Sequence, residues 1–302
     1  MIDLSAFFAN YPAAFPWIAG VFGLAIGSFL NVAIYRLPVM LERKWRSQCQ
    51  EILKPNKKTR SAPKRFDLAV PGSHCPHCGH AITVLENIPV LSFLCLRGKC
   101  SACAKPIPWR YPLVELLTGC LTAMVAWYFG YGMAALAGMA LTWCLIALSF
   151  IDFDRQLLPD DITLPLLWAG LLLNVFSVFT PLSSAVIGAT SGYVFLWLVY
   201  QFFKLVTGKE GMGYGDFKLF AALGAWLGWQ SLPLIILFSS LVGAIVGITF
   251  IVFFGHDRRM PMPFGPFLCV AGWVALLWGD TLTRYYLQFA RIGSSIQHSC
   301  YA

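Results

Sequence analysis

The chain has 302 residues, of which 58% are hydrophobic and 12% charged, with a net charge of +8. Together with a mean hydropathy of +0.68, this excludes an ordinary soluble domain and defines a polytopic membrane protein. The positive excess sits in one juxtamembrane loop without a nucleic-acid-binding motif, so membrane lipid rather than nucleic acid is the partner it implies.

Apolar runs long enough to cross about 30 Å of hydrocarbon as helices fall at residues 14–35, 111–129, 132–151, 161–180, 184–205, 216–230, 232–254 and 264–282. The expected fold is therefore all-α, with about eight transmembrane helices and a small cytoplasmic zinc-binding loop domain. Residues 1–35 form the first span with an outside N-terminus, 36–110 the loop domain, and 111–302 the membrane bundle. The first span has no basic residue before Arg36, so it lacks the charged start of a cleavable signal and reads as a retained anchor. The sixth run is short and begins Asp216-Phe-Lys, which predicts a tilted or partly interfacial helix.

Lys and Arg set the orientation. Fourteen basic residues lie between Arg36 and Arg110, and Arg155, Lys204, Lys209, Lys218, Arg258 and Arg259 fall on the same side, making 20 of the 22. The short turns near Gly130, Pro181 and Gln230 carry none. The positive-inside rule then puts residues 36–110, Asp152 and Asp216 in the cytoplasm.

The loop divides in two. Residues 42–66 are polar and basic and read as a flexible or surface segment. Residues 71–110 hold Cys75-Pro-His-Cys78 and Cys100-Ser-Ala-Cys103, with 21 residues between the pairs. Two Cys-x-x-Cys knuckles supply the four thiolates of a structural tetrahedral Zn²⁺ site, and a reducing cytoplasm argues against disulfides. His74, His77 and His80 read as surface or supporting residues. Cys49, Cys95, Cys120, Cys144, Cys269 and Cys300 read as small buried hydrophobes.

Asp152 ends one apolar run, and Asp216 closes Gly211-Met-Gly-Tyr-Gly-Asp before another. Ionised carboxylates at the edge of a bilayer are costly, and a pair of them suggests acid/base hydrolysis, since neighbouring carboxylates do not both ionise easily. Asp216 reads equally as a helix-start residue favoured by the macrodipole. Asp160 or Asp161 reads as a cap for the fourth span, and Asp154 as an interfacial charge. The chain lacks a Gly-x-Ser-x-Gly elbow and a His-Glu-x-x-His pair.

These residues resemble the bacterial type IV prepilin peptidase family, which cleaves leaders and N-methylates the products in pilus assembly and type II secretion. The matching stretches are Gly27-Ser-Phe-Leu-Asn-Val-Ala-Ile-Tyr-Arg-Leu-Pro38, both Cys pairs, Arg110-Tyr-Pro-Leu-Val-Glu115, Ile151-Asp-Phe-Asp-Arg-Gln-Leu-Leu-Pro-Asp160, Gly213-Tyr-Gly-Asp216 and Pro263-Phe-Gly-Pro266, in the family's order over nearly the whole chain. The resemblance implies a Gly-x-Gly-Asp membrane aspartyl protease of the bacterial inner membrane, with Asp152 and Asp216 as its dyad. It implies prepilin and pseudopilin substrates cut at the cytoplasmic face, and S-adenosylmethionine as donor to the new N-terminal amine, usually of phenylalanine. No Gly-x-Gly-x-x-Gly nucleotide fingerprint occurs between residues 36 and 110. If methyl transfer is present, Glu86, Lys99, Arg110 and Glu115 are the expected cofactor contacts. A transporter or a scaffold with a zinc module would also use these features, but a transporter normally places its acidic residues near the bilayer midplane.

Overall fold

The computed structural model describes residues 7, 8, 10–53, 66–254 and 263–289. Lys54–Arg65 of the basic segment, His256, Arg258, Arg259, Arg291, His298 and Cys300 lie outside them. Among the described residues the fold is all-helical, with two isolated β-bridges as its only extended pairing.

The helices in chain order are α1 (Ala14–Leu53), α2 (Leu91–Cys95), α3 (Arg110–Phe129), α4 (Met133–Arg155), α5 (Asp160–Val175), α6 (Leu182–Thr207), α7 (Tyr214–Leu227), α8 (Leu232–Phe254) and α9 (Gly265–Phe289). Six of them, α1, α3, α4, α6, α8 and α9, are long and apolar enough to cross a membrane. The fourth and sixth expected spans are the short α5 and α7, of 16 and 14 residues. At 1.5 Å per residue α7 covers about 21 Å, less than the hydrocarbon core. The first helix does not stop near residue 35: it continues through Pro38 to Leu53, so the first part of the stretch read as flexible is helical.

The chain divides into two compact units, Met1–Trp143 and Cys144–Ala302, with the division inside α4. In the first unit α1 and α3 approach through small residues. A side chain on Gly23 would meet Thr122, and one on Gly27 would meet the backbone of Glu115. With little to gain from excluding lipid, membrane helices associate by such close backbone contact. The Thr118 and Thr122 hydroxyls donate back to Val114 O and Thr118 O, so their buried oxygens cost the interface little.

In the second unit α7 is the central helix. Asp216, Phe217 and every residue from Leu219 to Trp226 are buried. On one side Gly188 and Gly192 of α6 leave room only for the α7 backbone at Gly224 and Phe220. On another, Trp226 lies over Gly170 of α5 and its Nε1 donates to Leu166 O at 2.7 Å. Asn174 completes the clamp: its Nδ2 donates to Ala225 O (2.8 Å) and Trp226 O (3.0 Å), and its Oδ1 accepts from the Phe179 and Thr180 N–H groups. The shortness of α7 follows, because protein rather than lipid surrounds it.

Candidate functional site

Two groups of chemistry-bearing residues stand out, one in each unit. In the second, Asp152 lies one turn from the end of α4, and Asp216 is the third residue of α7. Their relative exposures are 6% and 7%, which makes them the only buried carboxylates among the described residues. The Gly265 N–H at the start of α9 donates to Asp152 Oδ2 at 3.0 Å. Asp216 Oδ1 is buried and accepts no hydrogen bond from the described residues. Buried acceptors are nearly always satisfied, so this oxygen takes its partner from outside the described protein groups, as water or a ligand.

Leu158 links the two carboxylates. A Cβ on Gly215 would strike Leu158 Cβ at 2.7 Å, and one on Gly265 would strike Asp152 Oδ2 at 2.5 Å and Leu158 Cδ1 at 3.2 Å. The packing therefore runs from Asp216 through Gly215 and Leu158 to Gly265 and Asp152. The glycine-rich approach to Asp216 is thus used for close packing: Gly215 abuts Leu158, and Gly211 abuts the Phe203 ring. Gly265 entered the sequence analysis only within Pro263-Phe-Gly-Pro266, a stretch that carries the family resemblance, and nothing in the sequence assigned its N–H to Asp152.

The neighbouring acids behave differently. Asp160 does not cap α5, whose N-terminus has no side-chain cap. It takes the Lys218 ammonium at 2.7 and 2.8 Å instead, tying the start of α5 to the N-terminal part of α7. Asp154 and Asp161 are exposed.

The first unit holds the thiols. Sγ atoms of Cys75, Cys78, Cys100 and Cys103 all lie within 4.8 Å of one another and could hold a metal ion. The two knuckles are near copies. Gly79 N donates to Cys75 O and Ala104 N to Cys100 O, each at 2.9 Å, and bridges His74↔Ala81 and Lys99↔Pro106 close the two loops. The residue after each second cysteine has positive φ, 73° at Gly79 and 55° at Ala104. Backbone N–H groups of Cys78 and His77 aimed at Cys75 bring its thiol down to about 6, the direction ligation needs. At Cys78 the His80 N–H is outweighed by desolvation and the adjacent sulfurs, which push the thiol up to about 11.

The four residues expected to contact a cofactor are not gathered in one place. Glu86 sits in the 3₁₀ turn Leu85–Asn87 and accepts from the Ser101 hydroxyl and from Thr83 N and Oγ1, with His80 Nε2 3.3 Å away. These bonds, the Ser101 hydroxyl foremost, hold its carboxyl down to about 2 and fasten one knuckle to the other. Glu115 accepts the Val90 N–H at 2.8 Å. Lys99 instead lines an open cleft of about 560 Å³ with Phe93, Arg97, Pro106 and Trp109, and Arg110 follows directly as the first residue of α3. His74, His77 and His80 contact Gly72 O, Lys105 and Glu86, consistent with supporting roles. Of the scattered cysteines Cys269 is buried as expected and Cys144 is half-buried, whereas Cys49, Cys95 and Cys120 are exposed. For Cys120, outward placement on a membrane helix satisfies an apolar side chain as burial would.

Fold and site together define a multi-pass membrane protein with a buried carboxylate pair and a four-thiol ribbon. Residues 21–129 match the family model described as "Bacterial Peptidase A24 N-terminal domain", and residues 139–248 match "Type IV leader peptidase family". The chain is 57% identical over 276 residues to the prepilin leader peptidase/N-methyltransferase of Aeromonas hydrophila, covering 90% of this chain and 95% of that one. Identity is 54% to the protein so described in Pseudomonas aeruginosa (96% and 99% covered) and 45% to that of Legionella pneumophila (95% and 99%). No solved structure matches. The chain belongs to the type IV leader peptidase family.

Proposed function

We propose that this chain removes the leader of type IV prepilins and pseudopilins at the cytoplasmic face of the bacterial inner membrane and N-methylates the residue exposed. The observation that carries the peptidase reading is the buried pair Asp152 and Asp216, with Asp216 Oδ1 unpartnered and Asp152 held by Gly265 N–H. One carboxylate takes a proton from water as that water adds to the scissile carbonyl. The other gives a proton to the leaving amine, so one proton passes through the pair in each turnover. Both residues stand near helix ends, where a leader at the membrane surface can reach them, and this separates the site from a midplane transport site.

The thiol cluster supports Zn²⁺. A tetrahedron with Zn–S bonds of about 2.3 Å sets its sulfurs about 3.8 Å apart. The Cys75–Cys103 and Cys78–Cys100 separations of 3.9 and 4.0 Å match that shape. An all-thiolate set leaves no position for substrate, so the ion's role is structural.

For methyl transfer, S-adenosylmethionine supplies the electrophilic methyl group when bound. The Lys99 cleft fits such a donor best, because it sets the Phe93 and Trp109 rings, 4.8 Å apart, beside the cations of Arg97 and Lys99. An aromatic face suits adenine and a cation suits the methionine carboxylate. The test is to incubate the purified protein in nanodiscs with a prepilin, with and without S-adenosylmethionine, and weigh the product. Loss of the leader in both samples, plus one methyl group only with the donor, is expected; an intact prepilin would refute the reading.

A further inference from the structure

The turn between the two knuckles is seated against the membrane helices rather than held out in water. Asn31 Nδ2 on α1 donates to Tyr111 O on α3, and Gly27 abuts Glu115, which fixes an antiparallel register between these helices. Two hydrogen bonds then locate the turn. The Ser28 hydroxyl of α1 donates to Asn87 Oδ1 at 3.4 Å, and Val90 N donates to Glu115 of α3 at 2.8 Å. Ser28 stands eight residues inside Arg36, about 12 Å along the helix, and Glu115 stands five residues inside Arg110, about 7.5 Å. Both tethers therefore reach below the basic residues that mark the end of the apolar spans.

At that level the turn presents apolar side chains outward. Val84 is 87% exposed, Leu85 76%, Leu91 60% and Leu94 62%, while Phe93 on the other face of α2 is buried against Gly98 and Trp109. Four large apolar side chains exposed on one short segment are unfavourable in water. The loop that carries the strip holds fourteen basic residues between Arg36 and Arg110, a charge balance that suits an anionic membrane surface.

We infer that the Val84–Leu94 segment is an interfacial anchor, its apolar strip buried in the cytoplasmic leaflet, so that the thiol ribbon lies on the bilayer surface. The occupant of the strip is lipid. A prepilin's apolar segment or a second copy of this chain would need the strip open until the partner arrived.

The experiment places a benzophenone amino acid at Leu85, Leu91 or Gln50 in the full chain, reconstituted in phosphatidylglycerol/phosphatidylcholine nanodiscs and irradiated without substrate. Gln50 lies on α1 fourteen residues beyond Arg36, about 21 Å farther along the helix, and serves as the exposed polar reference. Lipid adducts about tenfold more abundant at 85 and 91 than at 50 are expected. Adducts to protein instead of lipid, or yields equal to those at 50, would overturn the inference. The unsubstituted protein gives a second reading: hydroxyl radicals generated in water should leave Leu85 and Leu91 unmodified before any prepilin is added. Labelling that disappears only on adding prepilin would assign the strip to substrate and overturn the lipid assignment.

Discussion

The Gly265 N–H points at Asp152 Oδ2 from 3.0 Å, across 113 residues of sequence. A side chain at position 265 would occupy the space of that same oxygen and of Leu158, so glycine is required there by proximity. Gly265→Ala should keep expression and membrane insertion but lower leader cleavage at least tenfold, because overpacking of this kind costs about 1–3 kcal/mol and here displaces Asp152. Initial rates on a purified prepilin measure it, and a variant as active as the native protein would show that the contact has no catalytic consequence.

Asp152→Asn and Asp216→Asn should each reduce cleavage by about a hundredfold or more, with membrane insertion and metal content unchanged. Asparagine keeps the shape but cannot carry the proton. The double variant should be no slower than either single, as for groups that act as one unit. Asp154→Asn and Asp161→Asn, at exposed positions, should retain most activity. A dead Asp154 variant beside a live Asp152 variant would reassign the dyad.

Part of this candidate site was legible in the order of residues. A carboxylate closing an apolar run is costly, which singled out Asp152 and Asp216 as candidates, but Asp216 read equally as a helix-start residue and only the family resemblance paired the two. The four cysteines stood out because two identical Cys-x-x-Cys spacings, in a loop expected to face a reducing compartment, point to a metal. What remained hidden were relationships that depend on tertiary packing. Whether Glu86 meets a ligand or Ser101, and whether Glu115 meets a ligand or the Val90 N–H, is decided by which loop folds against which helix. Hydropathy likewise located α7 without revealing that its surroundings are protein, since an apolar helix reads the same beside lipid or beside Gly188 and Gly224.

Elemental analysis of the purified chain should return about one zinc per molecule, lost on Cys75→Ser or Cys103→Ser. Removing the metal should raise hydrogen exchange in residues 71–110 before the membrane helices loosen, because metal binding supplies much of the folding energy of so small a module. Well under one zinc with all four thiols reduced would contradict the assignment.

Ala104 occupies the position that Gly79 occupies in the other knuckle, with φ at 55°. Ala104→Gly should therefore stabilise the ribbon by about 0.5–1 kcal/mol, the relief of a left-handed Cβ less the added chain entropy. Slower metal release to a chelator is the measurement.

Glu86 and Lys99 should separate structure from methyl transfer. The Glu86 carboxyl is held down to about 2 by Ser101 and Thr83. Its contribution is therefore fully present above its ordinary value of 4.5 and fades as pH falls towards about 2. Glu86→Gln should loosen residues 80–103 at neutral pH, as read by hydrogen exchange. Lys99→Ala should leave that exchange unchanged and lower methylation, with leader cleavage intact and partial recovery in Lys99→Arg. Equal loss of both activities in Lys99→Ala would place the lysine in substrate docking.

The contact between Gly265 and Asp152 also bears on biogenesis. The helix that contributes Gly265, α9, leaves the ribosome after every other described helix, and α7 is too short to settle in lipid before its protein neighbours surround it. A nascent chain thus carries both aspartates long before it can hold them in place. On the proposed dyad, leader cleavage should therefore begin only once α9 has joined the bundle and Gly265 has met Asp152.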